Sequence, residues 1–108
     1  KMDKKIEVFN SNLFFNNIID TVDIFNFINF ALKNKIKSTT LNLSATKPMQ
    51  IKKMINFLKD RISSKSKINF SNKKTNHYII SLNKILKDYD YKTSSTKEIL
   101  ERYIKNYK

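Results

Sequence analysis

Apolar and polar residues along the chain follow two different spacings, which predict strands and helices in turn. The runs "IEVF" (6–9) and "FFNNII" (14–19) are rich in β-branched and aromatic residues, a composition that favours strands. The runs "TLNLS" (40–44) and "KINFS" (67–71) alternate with a period of two, which also predicts strands. The sequence therefore predicts four short extended segments spread over its first two thirds.

A helix is predicted to begin near Asp20 or Thr21, because either residue can cap it. Asp23 would lie in the first turn, beside the positive end of the helix dipole. Its apolar stripe has helical spacing and comprises Ile24, Phe27, Ile28, Ala31 and Leu32.

Three more helices are predicted downstream. The first follows the break "ATKP", with apolar residues at helical spacing: Ile51, Met54, Ile55, Leu58 and Ile62. The segment "SLNKILKDY" (81–89) predicts a short helix with Ser81 as its cap. In the last helix, Ser95 and Glu98 have the spacing of a capping box. Its expected buried face is Ile99, Leu100, Tyr103, Ile104 and Tyr107. Strands that alternate with helices favour an α/β fold with a small, partly parallel sheet and about four helices.

Composition narrows the class of protein. The chain has 108 residues, which suits one domain, and it has no cysteine and a single histidine, His77, which we expect at the surface. No apolar run reaches membrane-spanning length, so we expect a cytoplasmic protein that does not enter a membrane. The net charge of +13 suggests nucleic acid as a partner. However, the lysines are spread along the chain instead of gathering into one block, and no nucleic-acid-binding motif accompanies them.

Little catalytic chemistry is visible in the residues themselves. The chain has no glycine and therefore no glycine-rich phosphate loop. Asp20 and Asp23 have the positions of helix-capping residues rather than of a paired acid site. No nucleophile, base and orienting group can be assembled from their spacing, so we predict no catalytic residue in this chain.

The order of the motifs resembles a known family. The segments, in chain order, are "NNIIDTVDI" (16–24), "NLSATKP" (42–48), "SLNKIL" (81–86), "YDYKTSS" (89–95) and "TKEILERYI" (96–104). Together they resemble the carboxy-terminal, substrate-binding part of the extended short-chain dehydrogenase/reductases, which are NAD(P)-dependent nucleotide-sugar epimerases and dehydratases. The resemblance extends from about Ile6 to the end of the chain.

The resemblance implies that residues 1–108 are a single substrate-binding lobe, a fragment of a longer enzyme. In the family, the glycine-rich dinucleotide site and the catalytic Tyr-x-x-x-Lys motif lie upstream, in the Rossmann part. Neither is present here, so the implied cofactor, NAD or NADP, would belong to the full-length enzyme and not to this chain. A lobe that packs on a Rossmann half would expose an apolar face when isolated, and we expect the isolated chain to self-associate.

The resemblance also implies a site for a nucleotide-diphosphate sugar. Phe9 matches the family's aromatic or apolar position beside the nucleotide base, and Asn16 stands where the family has a phosphate-contacting arginine. Lys73 and Lys74 correspond to a later loop that touches the substrate diphosphate. A lysine attracts phosphate as a point charge, without the bidentate geometry of arginine.

Two functions remain open at this point. The first is the substrate-binding lobe of an epimerase, dehydratase or reductase, with the sugar, the nucleotide and the reaction undecided. The alternative is a small basic α/β module that binds nucleic acid or an acidic partner.

Overall fold

The computed structural model describes residues 4–71 and 78–106, which form an α/β fold with four helices and two very small sheets. The predicted fold class is therefore confirmed. In chain order the elements are β1 Ile6–Val8, β2 Phe14–Phe15, α1 Thr21–Lys33, β3 Met49–Gln50, α2 Ile51–Arg61, β4 Ile68–Phe70, α3 Asn83–Tyr89 and α4 Thr96–Asn106.

One of the two sheets is parallel and the other is antiparallel. Strands β1 and β4 are parallel, and their last residues, Val8 and Phe70, are paired in register. Strands β2 and β3 are antiparallel, with Phe14 opposite Gln50. The predicted parallel pair is thus present, and it joins the first and the last strand found in the described residues.

The strand predicted at residues 40–44 is wrong. These residues, all described, form no strand, although burial alternates from Leu41 to Leu43 as the pattern predicts. Backbone pairing occurs only just beyond the segment, where the N–H of Ala45 donates to the carbonyl of Ile18 at 2.8 Å and Thr46 forms an isolated parallel bridge with Ser95. One backbone bond to residue 18 on one side and one bridge to residue 95 on the other do not form the repeated hydrogen bonds of a β-sheet.

Helix α1 begins where the sequence predicts and has two different faces. Asp20 is its N-cap, and its carboxylate accepts the N–H of Asp23 at 2.9 Å. On the inner face, the ring centroids of Phe27 and Phe30 lie 5.3 and 4.8 Å, respectively, from that of Tyr91. On the opposite face, most of the predicted apolar stripe is exposed to solvent.

Helices α1 and α2 end in Schellman motifs without glycine. After α1, Lys35 has a φ of 49°, its N–H donates to the carbonyl of Leu32, and that of Ile36 donates to Ala31. After α2, Ser63 has a φ of 52° and belongs to the same two-bond pattern. Glycine is the usual residue at this left-handed position.

Helix α4 carries the predicted capping box. The N–H of Glu98 donates to the hydroxyl of Ser95 at 3.1 Å, and the N–H of Ser95 donates to the carboxylate of Glu98 at 3.4 Å. Ile99 and Leu100 are buried as predicted. Tyr103 is 61% exposed, so its prediction as a core aromatic is wrong. Tyr107 lies outside the described residues.

The centre of the fold contains many small polar side chains. Its buried apolar residues are Ala45, Ile85, Ile99 and Leu100, whereas its buried polar residues are Ser11, Asn16, Asp23, Ser44, Ser66, Thr93, Ser95 and Thr96. Hydroxyl groups connect three chain segments that meet there. The hydroxyl of Thr93 donates to the carbonyl of Ser44, whose own hydroxyl donates to the carbonyl of Asn16. Such bonds satisfy buried backbone groups that a longer sheet would otherwise pair.

None of the helices found in the described parts of the chain has the length and apolar character needed to cross a membrane.

Candidate functional site

The carboxyl ends of the parallel strands β1 and β4 form the first candidate region. Phe9 directly follows β1 and is 48% exposed, and Ser71 directly follows β4. Backbone bonds hold these two strand ends together, since the N–H of Ser71 donates to the carbonyl of Val8 at 3.0 Å and the N–H of Ser11 donates to that of Ser71 at 3.3 Å. In open α/β sheets, ligands bind beyond this edge of the strands.

Lys73 and Lys74 follow Ser71 by two and three residues and lie outside the described residues, as does His77. Phe9 and Ser71 therefore leave the sheet at the same edge. The parallel pairing is the reason that two regions more than sixty residues apart in sequence start side by side.

The structure adds one cation to this edge that the sequence analysis did not select. The ammonium of Lys52, in the first turn of α2, lies 5.5 Å from the centroid of the Phe70 ring. The N–H of Lys52 donates to the carbonyl of Ser11 at 2.8 Å, which fixes the start of α2 against the turn after β1. Helical periodicity places Lys52 on the polar face of α2 but does not show which loop that face meets.

Asn16, the fourth predicted site residue, lies in the interior and not at this edge. It is 2% exposed, and its amide nitrogen donates to the carbonyls of Ala45 at 3.1 Å and Ile80 at 2.9 Å. Its amide oxygen accepts the N–H of Ile80 at 2.9 Å. In this structure the side chain therefore connects three backbone segments, while contact with a phosphate or sugar stays a prediction.

A second polar cluster lies between the start of α1 and the last turns of α4, and sequence spacing gave no sign of it. The Nε of Arg102 donates to Asp20 at 2.7 Å, and its Nη2 donates to Asp23 at 3.3 Å and to the hydroxyl of Ser94 at 2.7 Å. Ser94 in turn donates its N–H at 2.9 Å and its hydroxyl at 2.8 Å to Asp23. Arg102 is about eighty residues from Asp20 and Asp23 in the sequence, so no local pattern predicts that these side chains are in contact.

The charges of this cluster affect nearby ionisable groups. Burial raises the pKa of Asp20, but the N–H of Asp23 and the Arg102 guanidinium outweigh this effect and hold that pKa below its ordinary value. Burial, followed by the charge of Asp23, raises the pKa of Tyr91 above its ordinary value. Asp20 thus has the capping role predicted for it, whereas the Asp23 carboxylate accepts bonds from Ser94 and Arg102 and caps no helix.

A groove of about 420 Å³ lies beside this cluster. Its lining is mostly apolar, with a polar end formed by Asp20, Thr21, Arg102 and Asn106; the apolar lining residues are Ile18, Ile19, Val22, Leu58, Ile99, Leu100 and Tyr103. Val22 and Tyr103 are 47% and 61% exposed at the groove, which explains why Tyr103 is not a core residue.

Over residues 4–71 and 78–106, no group of three or more acidic, histidine or cysteine side chains is placed to hold a metal ion. Asp20, Asp23 and Ser94 all bond to Arg102, and the Ser94 hydroxyl also donates to Asp23 at 2.8 Å, so these four side chains form one hydrogen-bonded network.

Comparisons with known proteins give no relative: no family model, no curated protein and no solved structure matches the chain.

Proposed function

We propose that this chain is the substrate-binding lobe of an NAD(P)-dependent enzyme that acts on nucleotide sugars. The proposal rests on the resemblance of the sequence motifs, and one structural observation supports it. Val8 and Phe70 are paired at the ends of two parallel strands, so Phe9 and Ser71, which follow them, lie at one edge of the sheet. Lys73 and Lys74 come two and three residues after Ser71 in the sequence. A ligand with an aromatic base and a diphosphate needs a ring and cations close together.

The roles of the edge residues follow from their chemistry. Phe9, half-exposed beyond β1, offers a ring face to a nucleotide base. Lys73 and Lys74 offer point charges to a diphosphate. Lys52, beside Phe70 on the same edge, adds a cation from a helix. Asn16 would support this edge only indirectly, through the backbone that it connects.

The nicotinamide cofactor and the catalytic groups are assigned to a Rossmann half that would pack on this lobe. We therefore expect the chain alone to bind neither NADH nor NADPH and to turn over no nucleotide sugar. Titration with NADH, followed by nicotinamide fluorescence, tests this expectation. Stoichiometric binding of the dinucleotide would contradict the assignment of the cofactor site to the Rossmann half, on which the proposal depends.

The test of the site is an NMR titration of the chain with nucleoside diphosphates and their sugar conjugates. Amide shift changes are expected at Phe9, Lys52 and Ser71, with little change at Asn106, on α4. The double variant Lys73→Ala/Lys74→Ala should bind more weakly, since each lost charged contact costs on the order of 1–2 kcal/mol.

A matched control lies at the opposite edge of the same sheet. Lys5 and Lys67 directly precede β1 and β4, and both are exposed. The variant Lys5→Ala/Lys67→Ala removes the same charge from the amino edge and should leave the affinity unchanged. Equal losses in the two double variants would mean that only net charge matters, and the site assignment would fail. Tighter binding of a single-stranded oligonucleotide than of any nucleotide sugar would instead favour the basic-module alternative.

A further inference from the structure

The outer face of helix α1 is a continuous apolar surface. Ile24, Phe25, Ile28 and Leu32 are 40%, 64%, 52% and 73% exposed. They follow one another at spacings of one, three and four residues and so form a single stripe, opposite the face that carries Asp23 and the Tyr91 contacts. Single exposed apolar residues are ordinary, but a contiguous stripe of large side chains marks an interaction surface. We call these four residues the α1 stripe.

The charges around the α1 stripe limit what can cover it. No charged residue occurs between Asp23 and Lys33, although the chain carries a net charge of +13. Two copies of so basic a chain repel each other over most of their surface. The α1 stripe is a face along which two copies can approach without placing lysines opposite lysines.

The two ends of the stripe differ in charge, which selects an orientation. At its amino-terminal end, Asp20, which is 23% exposed, and the buried Asp23 share the single cation Arg102, so the cluster keeps one net negative charge. At its carboxy-terminal end, three lysines follow one another closely: Lys33, Lys35 and Lys37. An antiparallel helix pair brings each lysine-rich end beside the partner's Asp20 and opposes the two helix dipoles, whereas a parallel pair places the lysines together.

We propose that the α1 stripe is a self-association surface, on which a second copy of this chain lies antiparallel. The pair has two-fold symmetry with its axis near Ile28, so that Phe25 of each copy faces Leu32 of the other. Helix α1 has 13 residues and is about 20 Å long, so the contact is one helix face and the expected dimer is weak. The inference does not depend on the proposed function, since it has its own readout.

The first experiment measures association by sedimentation equilibrium. The chain should dimerise with rising concentration, and Ile28→Glu should raise the dissociation constant by roughly tenfold or more, because it places two acids at the symmetry axis. The control is Leu86→Glu, which adds the same charge at an exposed helical position on α3, 42% exposed in the wild type, and should leave dimerisation unchanged. A chain that stays monomeric, or equal effects of the two variants, would overturn the proposal.

The second experiment tests the orientation with substitutions that add no charge to the α1 stripe. Because the chain has no cysteine, variants with one cysteine report proximity without background. In a mixture of Phe25→Cys and Leu32→Cys chains, mild oxidation should give mostly the mixed disulfide, since these positions face each other in the antiparallel pair. Predominant Phe25→Cys homodimers would show a parallel pair and refute the arrangement, and an absence of cross-links would refute the surface.

Discussion

Replacing Arg102 with methionine tests the polar cluster that joins α1 to α4. The substitution removes the guanidinium but keeps an apolar stem beside the groove. It leaves the carboxylate of Asp23, whose side chain is only 5% exposed, with the two bonds from Ser94 as its remaining partners. Asp20, 23% exposed, loses its 2.7 Å bond but can be hydrated.

The magnitude follows from these exposures. A hydrogen bond to a charged group contributes about 1.5–3 kcal/mol, and breaking a fully buried ion pair costs about 3–5 kcal/mol. The Arg102 side chain is 36% exposed, so solvent already screens part of its attraction and the upper range does not apply. We expect Arg102→Met to lower the free energy of unfolding by about 2 kcal/mol.

The chain offers a matched control in its other arginine. Arg61 lies 3.7 Å from Glu101, and their side chains are 55% and 41% exposed. It also lies over the Phe57 ring at 4.9 Å. An exposed pair of this kind contributes about 1 kcal/mol or less, so Arg61→Met should have the smaller effect. Urea denaturation followed by circular dichroism measures both. Equal losses in the two variants would show that the Arg102 cluster adds nothing beyond surface charge.

Three further predictions concern other contacts within the fold. Asn16→Ala should lower the free energy of unfolding by about 3 kcal/mol, because it leaves buried backbone groups unpaired. The control Asn17→Ala, at the exposed neighbouring position, should change that free energy by about 0.5 kcal/mol or less. Equal urea midpoints for the two variants would contradict the connecting role of Asn16. Ser95→Ala should cost about 1 kcal/mol through loss of the cap of α4, and Ser38→Ala, in an exposed loop, is its control in the same assay. Because the pKa of Asp20 is lowered on folding, its charge stabilises the fold above the ordinary aspartate range, and that stability is lost as pH falls through the folded pKa. Asp20→Asn, which keeps a capping side chain, should therefore be less stable than wild type at neutral pH, with a difference that shrinks in acid; a pH-independent difference would contradict this.

Local signals in the sequence were sufficient for most elements of the fold. The start of α1 and the capping box of α4 depend on residues within four positions of each other, and both are confirmed. The short strand β3 was not predicted, because Met49 and Gln50 are neither β-branched nor aromatic. Of the strand predicted at residues 14–19, only Phe14–Phe15 forms. The segment 40–44 has the alternation of a strand, but its pairing depends on distant segments, and those contribute hydroxyl bonds instead of a ladder.

The candidate site was less predictable for the same physical reason. Periodicity assigned Phe9 to the end of a strand, but only the parallel pairing places that end beside Ser71. The motif comparison assigned Asn16 to a ligand, whereas its burial and its bonds to Ala45 and Ile80 are tertiary facts. From its sequence neighbours alone, Arg102 is an ordinary cation on the polar face of α4. Its two acidic partners, Asp20 and Asp23, lie near the other end of the sequence, so their contact could not be predicted.

The two Schellman motifs have a consequence for local unfolding. Lys35 and Ser63 hold left-handed backbone conformations that cost a residue with a Cβ about 1–2 kcal/mol, and the sequence has no glycine to relieve them. The native contacts around each turn must offset that cost, so the last turns of α1 and α2 are closer to opening than the capped starts of α1 and α4. Amide hydrogen exchange should then be faster at the carboxy-terminal ends of these two helices than at the capped starts of α1 and α4.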